Sequence, residues 1–231
     1  MLQTSSSPGA IMSTKKLGVW VSALMTRFEE QLPCRNGPQT HHTRINTQQN
    51  KESIIHISKW KFTLVISGLT KILTKINEMR PHPQIPELER DYYESLYIVL
   101  DTLEKCLSSP AGAEAPKYDD TMNVKMLLKE ICPFLDMPSG ESASGSSAAA
   151  LSQPTSQQVL QIRQLAAKVL FALSVNNFNA VFSRISGRLA ELSVTNGEES
   201  TDYTDIELIQ YINIDILKLI KLLNEAIAKF R

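Results

Sequence analysis

A serine–lysine pattern of a catalytic type lies at Ser58-Lys59-Trp60-Lys61. It matches S-x-x-K, in which a lysine helps to activate a serine nucleophile. The partner motifs S-D-N and K-T-G that complete such a site are absent from the sequence. We therefore interpret the match as fortuitous and place it on the polar side of a helix.

The histidines offer weak candidates for a metal site. His41 and His42 are adjacent in a polar stretch with no Cys, Asp or Glu at ligand spacing, so we expect exposed loop residues. His56 stands between Ile55 and Ile57 and is expected to be partly buried and hydrogen-bonded. The phosphate-loop, dinucleotide-turn and zinc-helix motifs do not occur. No catalytic, cofactor-binding or metal-binding residue is predicted, and no cofactor.

Two basic pairs have the i, i+4 spacing of one helix face: Lys71 with Lys75, and Arg184 with Arg188. They could contact an acidic partner or phosphates, but such pairs are more often a solvated face. An arginine that assists phosphoryl transfer has to be delivered by a loop, and both arginines are predicted inside a helix. The acidic run at 198–202 precedes a predicted helix and favours its N-terminus.

Composition narrows the class of protein. The 231 residues carry 24 Lys+Arg and 24 Asp+Glu, a balance that argues against a dedicated nucleic-acid binder and a polybasic membrane anchor. No segment offers the roughly 20 apolar residues of a membrane span, so we expect peripheral membrane association at most. Cys34, Cys106 and Cys132 form no C-x-x-C pair and are predicted to be reduced, mostly buried thiols. A reducing compartment follows, cytoplasmic with the nucleus left open.

Apolar residues recur at the α-helical period along most of the chain. The predicted helices span 17–32, 48–79, 87–107, 119–137, 155–174, 178–192 and 205–231. The predicted intervening segments are a disordered leader at 1–16, a loop at 34–47, a proline break at 80–86, a linker at 108–117, a mobile low-complexity loop at 138–154, a turn at 176–177 and a C-terminal stop at 195–197. The domain is thus expected to cover 17–231.

Particular residues define each helix. The predicted core faces include Trp20, Leu24 and Phe28; Phe62, Val65, Ile66, Leu69, Ile72, Leu73, Ile76 and Met79; Tyr93, Leu96, Tyr97, Leu100, Leu103 and Leu107; Val159, Ile162, Leu165, Ala166, Val169 and Leu173; and Phe178, Val181, Phe182, Ile185 and Leu189. The β-branched run at 54–57 resembles a strand but continues without a turn signal, so helix is preferred. Gly68 within a helix indicates close helix–helix approach. Pro133 is expected to kink or shorten its helix.

The last helix ends with its apolar stripe still running, from Ile206 to Phe230. A helix normally closes with Gly or Asn, or with a following Pro. We therefore expect a truncated chain whose final stripe packs on further helices. The architecture predicted is all-α, with antiparallel helix pairs in a bundle or an α-solenoid of HEAT or armadillo type.

Five blocks of sequence, in this order, resemble one known family. They are RFEEQLP at 27–33, ISKWKFTLVISGLTKIL at 57–73, LDTLEKCL at 100–107, NFNAVFSRISGRL at 177–189 and DIELIQYINI at 205–214. Together they are similar to the extreme N-terminal region of the neurofibromin family of Ras GTPase-activating proteins, over about 18–231. The leader and the insertion near 138–154 depart from the family.

The resemblance implies a scaffold role. In this family a central helical domain stimulates GTP hydrolysis on Ras with an inserted arginine, and its F-L-R motif is absent here. The N-terminal region of the family is a HEAT/armadillo-like solenoid that helps to build a homodimer. The expected function is thus a scaffold segment of a negative regulator of Ras, which meets the GTPase only through a domain outside this chain. The alternative is a self-contained helical adaptor that binds a peptide or protein.

Overall fold

The computed structural model describes residues 14–80, 86–109, 121–135 and 156–194, and Asn224 alone. These residues are all-α, with no strand among them. The helices are α1 (Thr14–Glu30), α2 (Pro33–Asn36), α3 (His41–Ser58), α4 (Phe62–Glu78), α5 (Pro86–Leu107), α6 (Thr121–Leu135) and α7 (Ser156–Val194). The predicted all-α class is confirmed.

The predicted loop at 34–47 is mostly helical, so that prediction was wrong. Pro33 starts α2, where its missing N–H costs nothing, and the left-handed Gly37 (φ 73°) closes it. Thr40 then caps α3 by accepting a hydrogen bond from the Thr43 N–H at 3.3 Å. These segments are polar and short of apolar residues, so they show no stripe. Their boundaries depend on caps, and only 37–40 remain as a link.

The predicted helix at 48–79 is in fact two helices with a break at 59–61. Lys61 has φ −136° and ψ 51°, outside the helical range, and precedes the first turn of α4. The buried Ser58 hydroxyl donates to the Ile55 carbonyl at 2.7 Å, a local bond that competes with helix continuation. The run at 54–57 is helical, as predicted. Because only three residues join α3 to α4 and the two helices pack together, α4 folds back along α3.

Helix α4 buries the stripe predicted for it. Val65, Ile66, Leu69, Ile72, Leu73 and Ile76 are buried, with Phe62 and Met79 partly buried at the ends. Gly68 faces Met25 of α1, and a Cβ on this glycine would lie 3.0 Å from the Met25 Cγ. The close approach predicted from Gly68 is therefore confirmed.

Two aromatic residues predicted in the core lie instead at its edge. Trp20 is 50% exposed and Tyr97 is 47% exposed. The core side of α1 is formed by Val21, one residue on, which turns Trp20 by about 100° from the centre of the buried stripe. Leu96 does the same for Tyr97. A three-or-four-residue spacing does not show which edge of a stripe leaves the core.

The later helices follow the prediction with changes at their ends. Helix α6 is described to Leu135 and passes the exposed Pro133 in its last turn. The helices predicted at 155–174 and 178–192 are one assigned helix, α7, with a kink at Asn177 (φ −127°, ψ 37°) where a turn was expected. The Asn177 side-chain amide donates to the Leu173 carbonyl at 3.3 Å and takes up a carbonyl at the kink.

Several predictions fall on residues outside the described part of the chain. These are the leader through residue 13, most of the proline break at 80–86, most of the linker at 108–117, the loop at 138–154, the side chains of Ile185 and Leu189, the stop at 195–197, the acidic run at 198–202 and the helix at 205–231 apart from Asn224. At the other end of the predicted leader, Thr14–Lys16 belong to α1, which starts three residues before the predicted Leu17.

Helices α3 and α5 run in the same direction. Arg44 pairs with Glu94 at 4.0 Å, and Lys51 pairs with Asp101. From the first pair to the second, both helices move toward their C-terminal ends, so the two helices are parallel. By the same reasoning α1 is parallel to α4, because Met25 contacts Gly68 and Glu29 pairs with Lys75 at 2.7 Å.

Candidate functional site

The S-x-x-K residues do not form a nucleophile site. Ser58 is buried at the end of α3, where its hydroxyl is bonded to the Ile55 carbonyl and lies beside the Cys106 thiol. Lys61 is the last residue of the break at 59–61 and precedes the first turn of α4. The expectation that both lie on the polar side of one helix was therefore wrong. The break between α3 and α4 separates them.

The histidines lie on the surface. His41 and His42 are exposed in the first turn of α3, with ring centroids 6.0 Å apart, rather than in a loop. His56 is exposed, so its predicted burial was wrong. It follows the fully buried Ile54 by two residues, about 200° around the helix, which turns it away from the core. Within the described ranges no three His, Cys, Asp or Glu side chains come together as a metal site.

The basic pairs have different surroundings. Lys75 is paired with Glu29 across the α1–α4 interface, and Glu29 also accepts from Arg35 at 3.0 Å. Lys71 is exposed, as a solvated face requires. Arg184 is also exposed, and the Arg188 side chain lies outside the described part of the structure.

The three cysteines are thiols that form no disulfide. Cys106 and Cys132 are buried, as predicted, while Cys34 is half-buried. Burial raises the pKa of Cys106 to about 11, even with Ser58 beside it. Burial also raises the pKa of Cys34, whose N–H donates to the Ser95 hydroxyl at 2.9 Å. High thiol pKa values disfavour the thiolate that a nucleophile or metal ligand needs.

A charge cluster between α3 and α5 was not predicted. The Asp101 carboxylate accepts hydrogen bonds from the ammonium groups of Lys51 and Lys105, the latter at 3.1 Å. Burial alone would raise the pKa of Asp101, but the two lysine hydrogen bonds outweigh it and leave this pKa lowered. The i, i+4 spacing of Asp101 and Lys105 is visible in the sequence. Lys51, fifty residues away in the chain, could be placed only by the fold.

One surface cleft lies between α5 and the start of α7, with a volume of about 280 Å³. It is lined by Arg90, Tyr93, Glu94, Tyr97, Gln158, Gln161 and Ile162. Arg90 donates to the buried Asp91 carboxylate at 3.2 Å, and this carboxylate offsets the positive charge of Arg90. Amide and phenol groups beside a half-exposed tyrosine can hydrogen-bond and pack on a peptide segment. No sequence motif marks this cleft, because its two walls are about 65 residues apart in the chain.

No protein-family model matches the chain. One helix of the described residues, at 157–184, is long and apolar enough by composition to cross a bilayer, and 56% of its most apolar window is buried in the helical core. Core helices of globular proteins have the same property.

Proposed function

We propose that this chain is a scaffold segment with α-solenoid architecture, belonging to a neurofibromin-like negative regulator of Ras. The observation that carries the proposal is the set of five sequence blocks, in family order, from 27–33 to 205–214. The first block contains the end of α1. The second contains the break between α3 and α4 and most of α4. The third forms the buried end of α5.

The order of helix contacts supports the solenoid part of the proposal. Helix α4 packs on both α1 and α6, and α5 packs on both α3 and α7, which makes two rows. Contacts between the rows join α3 to α4, α4 to α5 and α6 to α7. In a solenoid each repeat packs on its neighbours in this way.

The spacing of contacts within a row also supports it. Lys75 reaches Glu29 over 46 residues, Lys51 reaches Asp101 over 50, and the Asn77 amide donates to Glu130 over 53. HEAT and armadillo units have about 40–47 residues. A separation slightly above one unit is what two successive repeats with longer links would give.

The catalytic step belongs, in this proposal, to a domain of the larger protein outside this sequence. No F-L-R motif occurs here, and Arg184 is an exposed helical residue without a loop to deliver it. The purified chain should leave single-turnover hydrolysis of GTP on Ras unchanged at micromolar concentration. A clear acceleration would contradict the assignment as a scaffold.

The structural role is testable in a chimera. Replacing the corresponding N-terminal region of a full-length neurofibromin with this chain should preserve folding and assembly. A matched chimera with Leu69→Asp, which places a carboxylate in the fully buried core, is the control for a disrupted segment. A folded chimera that fails to assemble would reject the scaffold role even with Ras activity retained.

The cleft between α5 and α7 favours a second candidate, a self-contained adaptor that binds a peptide. Screening a peptide library with the purified chain, and with a Tyr97→Ala, Gln161→Ala variant, separates the two. A peptide bound by the chain and lost in the variant would support the adaptor. An absence of cleft-dependent ligands would favour the scaffold.

A further inference from the structure

Both tryptophans of the chain have exposed side chains, and neither belongs to the cleft or to the core described above. Trp60 is 76% exposed in the break between α3 and α4, and Trp20 is 50% exposed on α1. Val19 is 72% exposed and Leu64 is 43% exposed. Large apolar side chains at this exposure cost hydration free energy, and a group of them marks an interaction surface.

The packing of α1 on its neighbours puts these residues at one end of the molecule. Helix α4 is parallel to α1 and contacts it at Met25 and Gly68. Leu64 lies one turn before Gly68 and Val21 one turn before Met25, so Leu64 is level with Val21 and the start of α4 is near the level of Val19.

Helix α3 brings Trp60 to this end from the other side. The Asn50 amide of α3 donates to Gln31 just after α1 at 2.7 Å, and Gln39 before α3 donates to the Gln31 carbonyl. Because α4 is parallel to α1 and folds back along α3, α3 is antiparallel to α1 and its last residues run toward the start of α1. Trp20 precedes Gln31 by eleven residues, which is three helical turns plus about 20°. Trp20 therefore lies on the same side of α1 as Gln31, the side that faces α3.

The charges of this end are basic. Lys59 and Lys61 flank Trp60, and Lys16 is exposed on α1. The segments 14–22 and 59–68 contain no Asp or Glu. The end of α5 contributes Glu104, which accepts from Ser108, and the paired Asp101 and Lys105. The starts of α1 and α4 add the positive ends of two helix dipoles.

We infer that this end of the molecule is a docking surface for an anionic membrane. We call it the tryptophan–lysine patch, formed by Val19, Trp20, Trp60, Leu64, Lys59 and Lys61. Tryptophan is favoured at the level of the lipid headgroups, where its ring is half apolar and its N–H is solvated. Lysines beside it attract acidic headgroups. The combination fits a lipid surface better than a purely acidic protein, which would not need four exposed apolar side chains.

The chain carries its own probe for this inference, because its only tryptophans are the two in the patch. The experiment mixes the purified chain with vesicles of phosphatidylcholine alone, or with about 30% phosphatidylserine. Binding is measured by flotation, and tryptophan emission is recorded on the same samples. The expected result is flotation with the anionic vesicles and a blue shift of the emission, both reduced by added salt.

Variants locate the surface. Trp60→Ala should lower the partition coefficient about tenfold. A Lys59→Glu, Lys61→Glu double variant should lower it by at least about 25-fold, from about fivefold for each lysine charge removed. The matched controls are Phe171→Ala and Lys168→Glu on the exposed side of α7, which should bind as the parent does. Circular dichroism checks that each variant is folded.

No flotation with anionic vesicles would overturn the inference, and so would equal binding to neutral vesicles or equal losses in the α7 controls. Binding to polyglutamate without binding to vesicles would assign the patch to an acidic protein instead. The result is independent of the scaffold role, since it is read with no Ras and no chimera present.

Discussion

Replacing Asp101 by Asn should destabilise the chain by about 2–3 kcal/mol. The side chains of Lys51 and Asp101 retain only 12% and 14% of their exposure, so the substitution leaves a largely desolvated ammonium without its carboxylate. Breaking a fully buried pair costs about 3–5 kcal/mol, and the remaining exposure lowers that figure. Asparagine keeps the shape of the side chain, so the change isolates the charge. Urea unfolding followed by circular dichroism at 222 nm measures it.

The matched control is Glu94→Gln, about two helical turns before Asp101 on the same α3–α5 interface. Glu94 meets Arg44 at 4.0 Å, and the arginine side chain is 71% exposed. An exposed pair of this kind contributes about 0–1 kcal/mol. Equal and small losses for the two variants would refute the reasoning, because burial would then have no effect on the two pairs. A Lys51→Met, Asp101→Leu double variant that recovers stability would support it.

The same carboxylate gives a sign for the pH dependence. Because the pKa of Asp101 is lowered below its ordinary 3.8 in the folded chain, its contribution is complete above that value and is lost as the pH falls through the folded pKa. The stability difference between the parent and Asp101→Asn should be constant from about pH 7 to 5 and shrink below about pH 4. A difference that grows on acidification would contradict the lowered pKa.

Two further predictions concern the core. At Gly68, alanine should be nearly neutral in urea unfolding, because a helix-propensity gain of about 1 kcal/mol offsets a 3.0 Å approach to the flexible Met25 side chain. Valine should cost about 1–3 kcal/mol more through overpacking, and a loss no greater than that of alanine would show an open interface. For Cys106, the pKa of about 11 predicts maleimide labelling at pH 8 at least about 100-fold slower than for a free thiol, restored in urea. Labelling of Cys106 itself in the native chain at the rate of a free thiol would contradict its burial.

The sequence predicted the helices that carry long apolar stripes. Helix α5 was placed to within one residue at its start, and the α4 stripe from Val65 to Ile76 is buried as expected. A helix that buries one face has apolar residues at a period of about 3.6, and this period can be recognised in the sequence. Gly68 could be interpreted for the same reason, since a missing side chain within such a stripe indicates a close neighbour.

What the sequence did not predict depends on local bonds or on distant partners. Helix α2 and the start of α3 depend on Pro33 and the Thr40 cap rather than on apolar residues. The break at 59–61 coincides with a buried serine that bonds its own helix. The Lys51–Asp101 pair and the cleft of Gln158 and Tyr97 join residues far apart in the chain. No periodicity contains that information.

The mass of the chimera tests the proposed scaffold role most directly. Mass photometry at nanomolar concentration should show the chimera with this chain as a homodimer, like its full-length parent, while the Leu69→Asp chimera loses that assembly. A soluble, folded chimera that remains monomeric, with the parent dimeric under the same conditions, would contradict the scaffold assignment.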